Sequence, residues 1–252
     1  MYREITENGL LMNDKMFITF NDLAWSAHCF YYRSVGDRKY CRIMSDTSFI
    51  YRLQKTPFEI TPSEFEQNVL LDYVNISSYD LLVEHKLAEN ILEKIVGLQP
   101  DVSALQDFTF LDCDFSNKAT NESIIKIYGL LSSVPGIWIT GVSKIAHLLN
   151  SRLLVMLNLD VSNHFGILEN STGIIEWLKI MQAHALAVTQ DFHAQGLHGT
   201  PEEYLSEKLG YSKQGCRKPL AKYLDEYYWL RFADNLPIPP VWVPTDYALT
   251  IH

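Results

Sequence analysis

Residues Leu131 to Asp160 read LSSVPGIWITGVSKIAHLLNSRLLVMLNLD. Within them, Val134-Pro135-Gly136-Ile137 is a tight-turn signal. Pro135 fixes φ, and Gly136 tolerates backbone conformations that penalise a Cβ. Beyond the turn, Val142, Ile145, Ala146 and Leu149 recur at helical spacing. Upstream, helix-forming sequence from Thr120 runs through Ile124, Ile127, Tyr128 and Leu131. The spacing therefore predicts a helix, a glycine turn and a second helix over 121–150. Turn amides at the N-terminus of a helix can hold a phosphate, and Lys144 adds a charge one turn later. After Asn150-Ser151 an apolar run, Leu153 to Leu157, leads into Asn158-Leu159-Asp160.

Pro135-Gly136-Ile137 and the helix after it resemble the helix-hairpin-helix of the DNA glycosylase and endonuclease III superfamily. Gly141 to Leu149, with Met156 and Phe165-Gly166, is most similar to an uncharacterised bacterial branch of it. In that branch a Ser-Lys helix precedes a short apolar segment ending in Trp-Asp, and a Lys-Pro-Leu helix carries Asp-Glu-Tyr-x-Trp. Here Lys218-Pro219-Leu220 and Asp225 to Trp229 echo that last helix. The resemblance spans about residues 120 to 232. It implies a mostly α, glycosylase-like helical bundle that contacts DNA. The activity it implies is base excision: a base is flipped out, a carboxylate stabilises the sugar cation, and water or a lysine attacks C1′.

The chain departs from this pattern at three places. Trp138 stands where the hairpin has its second glycine. Asn158 stands where the catalytic aspartate belongs in the best register, and Asp160 replaces it only with a two-residue shift. Thr140 stands where lyase-type members carry their lysine, with Lys144 one turn later. The residues assigned to catalysis by the resemblance are thus Asp160, Lys144 and Asn158. Those assigned to nucleic acid are Gly136, Thr140, Gly141, Ser143 and Lys144. A basic patch of Arg152, Lys213, Arg217 and Lys218 is added to them.

Composition sets bounds. The chain has 252 residues, 47% of them hydrophobic, and a formal net charge of −9. That suits one large domain or two small ones with a substantial core. No apolar run approaches the roughly 20 residues of a membrane helix, and the acidic MYREITENGL start has no signal-peptide core. A cytoplasmic location and no membrane partner are expected. The acidic balance weighs against a general nucleic-acid binder, whose affinity comes largely from phosphate neutralisation. Cys29, Cys41, Cys113 and Cys216 form no CxxC pair, which fits reduced thiols. With neither an iron–sulfur loop nor a metal motif, no cofactor is expected.

Three segments follow from these readings. Residues 1–57 form an irregular N-terminal segment packed on the body. There Arg33, Arg38, Lys39 and Arg42 interleave with Tyr31, Tyr32 and Tyr40, a mixture that suits either single-strand stacking or a tyrosine-rich surface packed on its own core. Residues 58–236 form the helical domain, of about eight helices. Thr61-Pro62-Ser63-Glu64 and Thr200-Pro201-Glu202-Glu203 open two of its helices by capping. Ser77 to Gly97 gives another, Gln99 to Asn121 reads as a loop-rich connection, and Ile174 to Gln195 is the longest helix. Residues 237–252 form a proline-rich extended tail, which could offer a protein partner a polyproline segment. A non-catalytic scaffold or protein-interaction module is the competing functional reading.

Overall fold

The computed structural model describes residues 18–76, 86–168 and 170–237. Among them there are twelve α-helices and no strand. The proline-rich tail, and the Ser77 half of the helix expected to end at Gly97, lie outside the described residues.

From Ile18 onward the N-terminal segment is helical rather than irregular. Phe20–Arg33 (α1), Val35–Ser45 (α2) and Thr47–Lys55 (α3) follow one another with single-residue joints. Each begins with a side-chain cap. Thr19 and Asp22 make a reciprocal capping box, Ser34 accepts from the Asp37 amide, and Asp46 accepts from the Phe49 amide. Such caps contribute on the order of 1 kcal/mol each. The aromatic and β-branched content that obscures helical periodicity here is turned into the core: Phe20, Leu23, Tyr40, Phe49 and Leu53 are buried.

Thr61 caps the next helix. Pro62–Phe65 (α4) is α-helical and continues as a π-helix over Glu66–Val74, ended by Asn75 in the left-handed region. Leu87–Gly97 is α5. Gln99–Leu105 (α6) corrects the expectation of a loop there, since Pro100 sits in its first turn and starts a helix rather than breaking one. The carboxylates of the loop that follows cap turns: Asp112 accepts from Thr109, and Asp114 from Ser116.

Lys118–Ser132 (α7) and Ile139–Leu149 (α8) are the expected helix pair, joined through Gly136 at φ +89°. Leu159–Phe165 (α9) follows, with Asn158 as its cap. Ser171–Ala194 (α10) is the longest helix, and Pro201–Lys208 (α11) opens with the expected capping box. Leu220–Tyr228 (α12) passes into a second π-helix, Trp229–Ala233.

Two halves share one continuous core. In one, α1 packs on α10, α11 and α12. In the other, α8 packs on α3, α7 and the first π-helix, which also meets α2. Cys41 on α2 and Cys216 just before α12 are joined by a disulfide, with Cα atoms 5.2 Å apart. This corrects the reading of all four cysteines as reduced thiols. The two cysteines stand 175 residues apart in the chain, so spacing gave no sign of their pairing. The cross-link ties a residue of the expected N-terminal segment to the last helix's approach, so the two form one body.

Candidate functional site

The connector between α8 and α9 positions the site. Leu153 to Leu157 is fully buried, yet it lies in no helix and pairs with no strand. Its backbone needs partners, and side chains supply them one residue at a time. His147 Nδ1 donates to the Leu154 carbonyl at 2.7 Å, and the Tyr128 hydroxyl to that of Val155 at 3.3 Å. Trp177 Nε1 donates to the Met156 carbonyl at 3.1 Å, and Ser143 Oγ accepts from the Leu157 amide at 3.0 Å. This clamp delivers Met156, Leu157 and Asn158 to the wall of a cavity of about 420 Å³.

The other walls come from four places. The α1–α2 junction gives Phe30, Ser34, Lys39 and Tyr40, and the end of the first π-helix gives Tyr73 and Asn75. From α8 come Thr140 and Lys144, one turn apart and so on one face. From α12 and the second π-helix come Lys222, Asp225 and Trp229. The first π-helix thus ends in cavity residues and the second begins with one, and such widened turns recur at functional sites.

Charge is uneven across this cavity. Lys222 Nζ lies 2.6 Å from Asp225 Oδ2 and 3.4 Å from Glu226 Oε1. Burial pushes its pKa down, but Asp225 and Glu226 outweigh that and hold it above the ordinary lysine value. Lys144 Nζ donates to the Tyr73 carbonyl at 3.4 Å and lies 5.7 Å from the centre of the Tyr73 ring, with the field of Asp225 reaching it. Burial, then repulsion from Lys222, lowers its pKa. Lys39 donates to Asn75 Oδ1 at 3.1 Å. Tyr40 is held by the neutral imidazole of His147, to whose Nε2 it donates at 3.2 Å. Burial drives that imidazole's pKa down to about 4. Burial also raises the Tyr40 and Tyr73 phenols well above their ordinary range, so both walls are neutral.

The residues anticipated from sequence are divided by the structure. Thr140, Lys144 and Asn158 come together in the cavity. Asp160 does not: it lies exposed in the first turn of α9, where its amide is capped by Asn158 Oδ1 at 2.8 Å. Ser143 is fully buried in the connector clamp, so it cannot meet a surface ligand. Gly141 is buried too, because a Cβ there would stand 3.1 Å from Ile137 Cγ2 and 3.2 Å from Val74 Cγ1. Its role is close packing against the first π-helix. Gly136 is at the turn, next to Trp138, which is 81% exposed.

The anticipated basic patch does not assemble. Lys218 has a fully buried side chain, held between Asp37 at 2.6 Å and Glu226 at 2.7 Å. Lys213 and Arg217 are exposed. Arg152 is exposed where its carbonyl accepts from the Phe110 amide at 2.9 Å, and its field reaches Glu202.

Sequence reasoning missed Lys39, Tyr40, Tyr73, Lys222, Asp225 and Trp229 as cavity residues. The interleaved Lys39-Tyr40 was a usable signal. So was the 222, 225, 229 spacing on α12, which places three side chains along one helical stripe. No protein-family model matches the chain, and neither a curated protein nor a solved structure matches it.

Chemically, the cavity offers an amine of lowered pKa, cations without carboxylate partners and aromatic walls. Its one carboxylate, Asp225, is engaged by Lys222.

Proposed function

We propose that this chain is a helix-hairpin-helix, glycosylase-like protein that contacts DNA at the Gly136 turn and takes an extruded nucleobase into the cavity. The observation that carries the reading is the meeting of Thr140, Lys144 and Asn158. These are the positions marked by the resemblance, and they line one cavity with Tyr40, Tyr73 and Trp229. The exposed Trp229 ring can stack any base, at roughly 1–3 kcal/mol per base, which offsets part of the few kcal/mol of unstacking that flipping costs.

The chemistry is reduced or displaced. Asn158 cannot supply an ionised carboxylate, and Asp160, the shifted candidate, lies outside the cavity wall. If a reaction is retained, Lys144 is its nucleophile or base, and the class is N-glycosidic cleavage. A non-catalytic scaffold is the second reading, favoured by the Asn158 substitution and the net charge of −9.

Fluorescence anisotropy with intact duplex, duplex bearing an abasic analogue, and single strand, each at two salt concentrations, tests the proposal. Preference for the abasic duplex, weakening with salt, is expected. An absence of binding to all three at low salt would leave only the scaffold.

A further inference from the structure

The cavity's charge is wrong for a neutral base alone. Three lysines and one aspartate line it, leaving a formal charge of +2. Lys222 is matched by Asp225 and Glu226. Among the described residues no carboxylate comes within 4 Å of Lys39 or Lys144, whose partners are an amide oxygen and a backbone carbonyl. Half-buried cations held by neutral groups cost solvation that is not repaid. Lys144 already shows the strain, since burial and Lys222 hold its pKa down. An anion between Lys39 and Lys144 would relieve it.

The walls limit what that anion is attached to. A volume of about 420 Å³ is within the range of small-molecule sites and large for a bare phosphate. Tyr40 and Tyr73 are buried, while Trp229 is 36% exposed at the cavity wall, and an open ring face takes a planar group. Charge number narrows the choice further. A phosphate monoester carries about −1.5 to −2 at neutral pH, close to the surplus. A phosphodiester within a strand carries a single negative charge and would leave one lysine unmatched.

We propose that the cavity binds a nucleoside bearing a phosphate monoester, its phosphate between Lys39 and Lys144 and its base against Trp229. This rests on the reading of the cavity as a nucleobase pocket, and it names the unit accepted. The unit whose charge fits best is a free mononucleotide or the phosphorylated end of a strand; an extruded interior base enters with only a diester's single charge and leaves one lysine unmatched.

The test is titration of the full chain with the four common nucleosides, their 5′- and 3′-monophosphates, and inorganic phosphate. Ten-nucleotide strands with hydroxyl or phosphate ends form a second arm. At least one monophosphate is expected to bind about tenfold or more tightly than its nucleoside and than inorganic phosphate, the scale of one charged hydrogen bond. Lys144→Met and Lys39→Met should each remove most of that preference. If phosphorylated strands share it, the ligand is a strand end; if only the monophosphates do, it is a free nucleotide.

Equal affinity for phosphorylated and unphosphorylated partners overturns the proposal, and that comparison needs no variant to fold. A phosphate preference that survives both lysine substitutions also overturns it. Binding of the abasic duplex without any phosphate preference would leave the glycosylase-like reading standing and remove this one. Phosphate preference without duplex binding would do the reverse.

Discussion

Two charged regions lie back to back in this molecule and share Lys222. Behind the cavity, Lys218 sits between Asp37 and Glu226, with the Tyr211 hydroxyl donating to Asp37 at 2.6 Å. In the cavity, Lys39 and Lys144 make no ion pair among the described residues, although the field of Asp225 reaches Lys144. Both regions are built from α2 and α12, and positions 218, 222 and 226 follow one another at a helical turn's spacing. The first is acidic in formal count: Asp37, Asp225 and Glu226 outnumber Lys218 and Lys222. Burial accordingly pushes the Glu226 carboxyl up to about 7, although Lys218 and Lys222 pull it back. The second region is basic. Paired charges out of water hold two elements in register; unpaired cations around an open cavity await a ligand.

That contrast breaks most visibly at Lys218. Lys218→Met would take from Asp37 its lysine partner and leave Glu226 with Lys222 alone, at 3.4 Å. A loss of about 3–5 kcal/mol in denaturant unfolding is expected. Adding Glu226→Gln should recover part of it. Full stability in the single variant would show that the cluster is not the structural one of the two.

His147 gives the next largest effect. Its pKa of about 4 in the folded chain lies below the ordinary value of 6.5, because burial disfavours the charged ring. As pH falls from 6.5 towards 4 the unfolded chain takes up a proton that the native chain does not. Stability from this group is therefore complete above pH 6.5 and lost on acidification through that window, by up to about 3 kcal/mol. His184, also depressed to about 4 by burial, acts in the same direction. Glu226 acts oppositely, its share falling as pH rises towards 7. His147→Gln should flatten the acid limb of a stability–pH curve. An unchanged limb would mean that the imidazole is not held neutral between Tyr40 and Leu154.

Lys144→Met sharpens the comparison in the other direction. Its ammonium makes no close ion pair among the described residues and feels Asp225 only at a distance, so unfolding free energy should change by less than about 1 kcal/mol, in contrast to Lys218→Met. A loss as large as that for Lys218 would move Lys144 into the structural class.

The helix pair around Gly136 was legible because its signals are local: a proline–glycine turn and apolar residues at helical spacing. The cap at Thr61 and the capping box at Thr200 were legible for the same reason, although Glu64 turns its carboxylate to Arg52 rather than back to the Thr61 amide. The helices over 20–55 were not, although Thr19, Ser34 and Asp46 each stand three residues before the amide they cap. Their aromatic residues weaken helical propensity, and burial against α12 and α8 restores it. The site was half legible. Thr140, Lys144 and Asn158 come from one continuous stretch. Lys39, Tyr73 and Asp225 come from three others, and only the tertiary packing brings them to the same cavity. Lys218 and Ser143 misled for the converse reason. A lysine in a basic run and a serine in a hairpin both suggest a surface, and burial is a property of what packs above them.

Asn158→Asp should have the smallest effect on stability and the most informative one on binding. Asn158 caps α9 through Oδ1, and aspartate caps equally well. The fold should therefore hold to within about 0.5 kcal/mol. The new carboxylate would enter the cavity that Lys144 lines, lowering the surplus positive charge by one. Affinity for a phosphorylated nucleoside should fall, while an unphosphorylated one is little affected. The same change restores the carboxylate that the helix-hairpin-helix resemblance calls for. If base excision appears in the variant and not in the parent, the cavity is a glycosylase pocket short of one oxygen. If affinity for the monophosphate falls and no excision appears, the cations at Lys39 and Lys144 serve ligand retention, and the asparagine is part of that site rather than a lost catalyst.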